Sequence, residues 1–305
     1  MAATDSLPRP VASTAPTSRS PLARIAPASR WYWIRTLLEN PVSFVSLIIV
    51  LGTILVALLA PVLAPKDPKF LDPVVRLQGP STEFRLGTDD AGRDVLSRVI
   101  YGAQVSLLIG VTVTIATAFL GSILGLLSGY YDRLDMPIMR IMDGLMAFPS
   151  ILLAIAIMAS LGPSTFNVFL ALTVVYTPSV ARLVRGSTLS LRRQPYVESA
   201  RAIGARDGLI LRRYIFANAL SPLIVQCTFV VAFAIISEAS LSFLGAGVNP
   251  ETPTWGNMLR DGQRVLQRAW WLSVFPGCAL VVTVLTLNLL GDGLRDALDP
   301  RGRRR

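Results

Sequence analysis

The sequence predicts an all-α integral membrane protein with six transmembrane helices and both termini on the same side of the bilayer. Three observations carry that expectation. Mean hydropathy is +0.54 and only 16% of the 305 residues are charged, against about a quarter in a soluble domain. The apolar residues fall in uninterrupted runs near the ~20 residues needed to cross the hydrocarbon core. The net charge of +10 comes from arginines placed between those runs, as the positive-inside rule requires, and not in a stripe with interleaved aromatics. Nucleic acid is therefore not an expected partner; the lipid bilayer is.

Residues 1–35 form a tail rich in Pro, Ser, Ala and Arg with almost nothing to bury, expected to be disordered and cytoplasmic. Its apolar successor starts too late and runs too long for a signal peptide. Spans are placed at Val42–Leu63, Ala103–Ser128, Leu145–Leu161, Phe166–Val184, Ala219–Ser237 and Trp271–Leu290. The fourth is interrupted by Tyr176, Thr177, Pro178 and Ser179. Pro149 and Pro222 fall close to the ends of their helices, where a missing N–H costs less. Arg9, Arg19, Arg24, Arg30 and Arg35 precede span one. Arg182, Arg185, Arg192, Arg193, Arg201, Arg206, Arg212 and Arg213 lie around the loop between spans four and five, and Arg301, Arg303, Arg304 and Arg305 close the chain. Six spans put all three groups on one side, which is then cytoplasmic. The chain divides accordingly into the tail 1–35, a first span with its extracytoplasmic segment 36–101, a transmembrane domain 102–292 containing the loop 185–218, and a basic terminus 293–305.

Three stretches carry more than hydropathy. In Leu86–Arg98, Asp89 with Arg93 and Asp94 with Arg98 stand at i,i+4, with Thr88 placed to cap. The expectation is an amphipathic interfacial helix that breaks at Gly102. Asp89, Asp90 and Asp94 do not have the spacing of an EF-hand loop, so no metal site is expected. In span two, Gly121, Gly125 and Gly129 repeat at four-residue intervals, a pattern that lets another helix approach closely. The loop 185–218 is too long and too regular to be a connector. Pro195 can start a helix with Tyr196, Ala200 and Ile203 on one face, Gly204 suits a sharp turn, and Asp207 can cap a second helix running into span five. Two readings fit that spacing equally: docking into another protein, or an interfacial helix held by anionic lipid.

The same loop resembles the EAA signature of permease subunits of binding-protein-dependent ABC importers. Glu198-Ser199-Ala200, Gly204 and Ile215 stand at the matching positions, with Ser199 in place of the first Ala and Phe216-Ala217 where the family often has Leu-Pro. LGTDDAGRDVLSRVIYGA from Leu86, SEASLSFLGAG at Ser237–Gly247, PTWGNML at Pro253–Leu259 and NLLGDGLRDALDPR at Asn288–Arg301 resemble the peptide/nickel group, and specifically the second permease of dipeptide and oligopeptide systems. The resemblance runs from about residue 39 to 301. It implies a type I importer permease fold, a homologous sister permease, two cytoplasmic ATPase subunits and an extracytoplasmic solute-binding protein. It also implies that Glu198, Ser199, Ala200 and Gly204 couple the chain to an ATPase, and that the solute, most often a di- or oligopeptide, crosses the cytoplasmic membrane of a bacterium.

Other classes fit less well. Lys66 follows Pro65 and Lys69 follows Pro68, so there is no Walker A lysine and no ATP site. The chain has no histidine and no G-x-S-x-G, which argues against imidazole-based or elbow-serine catalysis; no cofactor is expected and the chain is not expected to be an enzyme. A secondary transporter would place ionisable groups at mid-membrane, whereas Glu238 and Asp292 are read as lying at span ends. Cys227 and Cys278 fall inside apolar runs and are read as small buried hydrophobes.

Overall fold

A computed structural model describes residues 37–298; the tail 1–35 and the arginines beyond residue 298 lie outside the described residues. Helix α1 (Pro41–Leu58) starts on Asn40, whose side-chain oxygen accepts from the Val42 amide at 3.0 Å, and a short α2 (Ala60–Leu63) follows. Helix α3 (Val95–Tyr130) is the central post. After it come α4 (Asp132–Met146), α5 (Ser150–Leu161), α6 (Thr165–Leu191) and the short α7 (Pro195–Ala202). A run beginning with α8 (Asp207–Leu209) passes through a π-helical turn at Ile210–Phe216 into α9 (Ala217–Leu244). Helices α10 (Trp255–Arg264) and α11 (Trp271–Leu298) complete the chain.

Five helices are long and apolar enough to cross a membrane, and the count is six when α4 and α5, bent by 90° to each other, make one broken span. The third expected span, Leu145–Leu161, is therefore not one straight helix. Pro149 caps α5 and pushes Phe148 out of the helical region, and α5 alone, at about 18 Å, is too short for the ~30 Å core. The fourth span is better than its sequence implies. Thr177 donates to Thr173 O at 2.7 Å and Ser179 to Tyr176 O at 2.8 Å, so the polar residues are satisfied within α6, which runs unbroken through Pro178. Pro222 is not at an end, because the run from Asp207 to Leu244 continues past it on both sides.

The packing is that of a membrane protein. Helix α1 buries Ser43, Ser46, Val50 and Ala57 and exposes Val45, Ile48, Leu51, Leu55 and Leu58; lipid supplies an apolar solvent, so small residues face inward and large ones outward. The glycine repeat of α3 lies on α6. A Cβ on Gly121 would stand 2.7 Å from Val180, one on Gly125 2.6 Å from Ala181 O, and one on Gly129 2.6 Å from Thr188 Cβ. Gly102 does not break the helix; it makes room for Trp255, whose indole N–H donates to Val99 O at 3.1 Å. Cys227 is half-buried and Cys278 exposed on the bundle surface.

The expected interfacial helix at 86–98 does not form. Gly87 and Gly92 hold φ of +80° and +78°, and the segment turns back on itself through a bridge between Thr88 and Asp94. Thr88 caps nothing: it is fully buried, donates to Val75 O and accepts from the Gln78 amide. Asp94 is the N-cap of α3, accepting from Ser97 N at 2.8 Å, so it does not pair with Arg98. Arg98, fully buried, instead reaches Asp89 at 3.5 Å and Asp261 of α10 at 3.8 Å, while Arg93 pairs with Asp89 at 2.6 Å and Asp261 at 3.5 Å. Burial raises the Asp261 carboxyl above the usual carboxylate range, and the Arg98 guanidinium opposes that rise. The carboxylates of this segment serve internal ion pairs, and no group of acidic, Cys or His residues with metal-site geometry occurs among the described residues.

Candidate coupling surface and solute path

The link between α6 and α9 is a compact, anchored element shorter than 185–218, because α6 extends to Leu191 and the next helical run starts at Asp207. Pro195 occupies the first turn of α7, where its missing N–H is no loss. The end of α7 is a Schellman cap: the Ala205 amide donates to Ala200 O at 3.0 Å, and the amide of Gly204, at φ +79°, donates to Arg201 O at 3.0 Å. The expected turn is thus present. A Cβ on Gly204 would have nothing within 4 Å, so the glycine is required by backbone conformation and not by a close contact within the chain.

The inward face of α7 differs from the expected one. Val197 and Ala200 are buried with Ile210 and Ile215, and Leu126 and Tyr130 of α3 and Leu191 of α6 pack on them. Tyr196 and Ile203 point outward, 40% and 85% exposed. Asp207 does not cap: it is the first residue of α8, and its carboxylate accepts from the Tyr130 hydroxyl at 2.6 Å and more weakly from Tyr131 at 3.5 Å. Arg201 lies 5.7 Å over the Tyr130 ring. The element packs on the end of α3, and past the turn at Gly204 the helical run from Asp207 leads without a break into α9.

Of the residues singled out from the sequence, Glu198 and Ser199 are exposed on α7, Ala200 is buried beneath them and Gly204 ends the helix. Four neighbours in sequence are therefore split between an outer and an inner face. The Glu198 carboxylate makes no ion pair or hydrogen bond with another described residue, so no described arginine orients it. Together with Tyr196 and Ile203 it presents an uncovered patch that is part apolar and part anionic.

Away from α7, two arginines of α6 and the Arg192 that caps its end hold α4: Arg192 reaches Asp132 at 2.8 Å, Arg185 reaches Asp135 at 2.5 Å and Arg182 reaches Asp143 at 2.5 Å. The arginines counted for topology thus also fix the elbow between α4 and α5. A cavity of about 440 Å³ opens beside that elbow, bordered by Met146, Phe148, Tyr176, Ser179, Gln226 and Phe233. Glu238 does not lie at a span end, contrary to what the sequence implies. The helix continues to Leu244, and the carboxylate is fully buried, accepting from Ser106 of α3 at 3.0 Å and from Ser242 at 2.8 Å. The signal was its i,i+4 partner Ser242, on a helical face shared with Ala234 and Leu241.

Comparison with known proteins agrees with this architecture. Residues 102–304 match the family described as the binding-protein-dependent transport system inner membrane component, and residues 29–80 match the N-terminal transmembrane domain of oligopeptide transport permease C. A dipeptide transport system permease protein of Alkalihalophilus pseudofirmus is 43% identical over 96% of this chain and 97% of its own length. A putative peptide transport system permease protein of Brucella abortus is 48% identical over 88% and 90%, and a di/tripeptide transport system permease protein of Pseudomonas aeruginosa 40% over 94% and 96%. With its apolar helices spanning the inner membrane several times and its family match covering most of the sequence, this chain belongs to the binding-protein-dependent transport system inner membrane components, the membrane permease subunits of ABC importers.

Proposed function

We propose that this chain moves di- or oligopeptides across the membrane as one half of a permease pair, powered by ATPase subunits that dock on α7. The observation that carries the reading is the outer face of α7: Glu198 without a partner among the described residues, Ile203 85% exposed, and both on an element locked to α3 and continuous with α9. A lipid-held helix would turn its apolar face outward and its basic groups to headgroups; an exposed carboxylate beside Tyr196 and Ile203 favours a protein partner. Closure of an ATPase dimer against such a lever would be felt at the elbow cavity. Relatives named for dipeptide, di/tripeptide and peptide transport support the solute class. The division of the chain at residues 35, 101 and 292 belongs to this reading.

The orientation follows from the arginines. The end bearing α7 and both termini faces the cytoplasm, and the end bearing α10 faces a solute-binding protein. In a background lacking Cys227 and Cys278, cysteines at Thr82 and Thr252 should react with an impermeant reagent added to intact cells, while one at Gln194 should not. Labelling at Gln194 alone would invert the topology.

Reconstitution tests the function itself. Proteoliposomes with this chain, its sister permease, both ATPases and the binding protein should accumulate dipeptide on ATP addition, and proteoliposomes with this chain alone should not. Uptake by the isolated chain under an ion gradient would replace the reading with a secondary transporter.

A further inference from the structure

The elbow cavity has a neighbour. A second cavity of about 650 Å³ lies along the same side of α9, bordered by Asn218, Ser221, Phe229 and Arg295, and Gln226 lines both. No other described residue borders the two. Phe148 and Phe233 at the first cavity are 60% and 49% exposed, so it opens on the outer face of the bundle, where a second permease would close it.

The first cavity carries no Asp, Glu, Lys or Arg. Tyr176 is occupied, its hydroxyl bonded to Phe233 O at 3.2 Å and to Ser237 Oγ at 2.7 Å, and Ser179 donates to its own helix. Gln226 is half-buried and its amide makes no hydrogen bond with another described residue. An amide offers one acceptor and two donors, which complement a peptide group and are indifferent to the side chain it carries. A bare divalent cation would find neither carboxylate nor thiolate on this wall, and the chain has no imidazole.

We infer that Gln226 is a solute-contacting residue at the hand-over between the two cavities, recognising the amide groups of a peptide, and that the uncharged wall of the first cavity lets side chains of either charge reach it. The inference rests on the permease reading above and adds a site to it. A formal charge placed at position 226 then acts at short range in a partly desolvated setting, where Coulomb terms are strong.

The test uses the full complex in proteoliposomes and the dipeptides Ala-Ala, Ala-Lys and Ala-Glu. Relative to wild type, the Ala-Lys to Ala-Glu uptake ratio should rise about five- to tenfold in Gln226→Glu and fall by a similar factor in Gln226→Lys. Affinity of the separate binding protein is unaffected by either change, so a ratio that stays constant in both variants overturns the inference. Should the charged variants fail to assemble, Gln226→Cys in the background lacking Cys227 and Cys278 serves instead. A hydrophilic thiol reagent should modify it, and Ala-Ala during turnover should slow that reaction at least severalfold; an unreactive or unprotected thiol overturns the assignment. A wild-type complex that moves no dipeptide would overturn the peptide reading and this inference with it, whereas wild-type uptake with an unmoved charge ratio overturns this inference alone.

Discussion

Gly125→Leu is expected to abolish accumulation of the protein in the membrane, while Gly186→Leu leaves it at the native level. Both substitutions add the same apolar side chain to one of the two most closely packed helices. At Gly125 the first added carbon already stands 2.6 Å from a backbone oxygen of α6 and 2.7 Å from Val184 Cβ, so nothing flexible can yield. The helices must separate, and Gly121 and Gly129 lose their close contacts together with it. Overpacking at one site costs about 1–3 kcal/mol, and separation along several turns multiplies that against a total stability of about 5–15 kcal/mol. At Gly186 a Cβ meets nothing within 4 Å, so the added side chain faces open space. Quantifying both variants in isolated membranes decides the matter, and equal amounts would show that α3 and α6 are not the structural spine.

The second large effect is functional and leaves the fold intact. Gly204→Val should let the chain insert and pair with a sister permease, yet lose most ATP-driven uptake. The left-handed conformation at φ +79° costs a residue with a Cβ about 1–2 kcal/mol, which shifts the population of the native turn about 5–30-fold. A branched side chain is worse than the average, and Gly204→Asn, which tolerates that region, should stay near wild type. Glu198→Ala removes a carboxylate that has no partner among the described residues, so stability should not change. If it pairs with an ATPase cation, loss of that charge-assisted bond weakens docking by about 1.5–3 kcal/mol, and fewer ATPase subunits should co-purify. Normal ATPase recovery and normal uptake in both variants would remove the coupling role from α7.

Much of this was legible in the sequence for physical reasons. Apolar run length placed the long helices, and glycine at four-residue spacing marked where α3 meets α6, because membrane helices approach closely only over small residues. Pro195 and Gly204 announced the limits of α7 through backbone constraints that act locally. What failed was what depends on distant partners. The i,i+4 pairing of Asp94 with Arg98 is sterically available at the start of α3, but the Asp94 carboxylate is taken up in capping that helix and Asp261, far along the chain, claims Arg98. The inward face of α7 is not legible locally, because Ile210 and Ile215, on the following turn, bury Val197 in place of Tyr196. The 90° elbow was hidden since hydropathy does not register direction, and only Pro149 hinted at it.

The ion cluster around Arg98 also has a consequence in time. Its two halves are separated by 168 residues of chain, between Arg93 and Asp261, and the Trp271 indole that donates to Thr88 O lies 183 residues from it. Ribosomes add about 5–20 residues per second, so the N-terminal half waits on the order of ten to thirty seconds for its counter-charge to be made. Once Leu191 has been added, past the middle of that interval, α3 and α6 are both synthesised and can pair, while Arg98 has Asp89 as the nearest acid of its finished half. This end of the bundle therefore closes late, after translation has reached Asp261 and Trp271, and not by any local preference of residues 64–102.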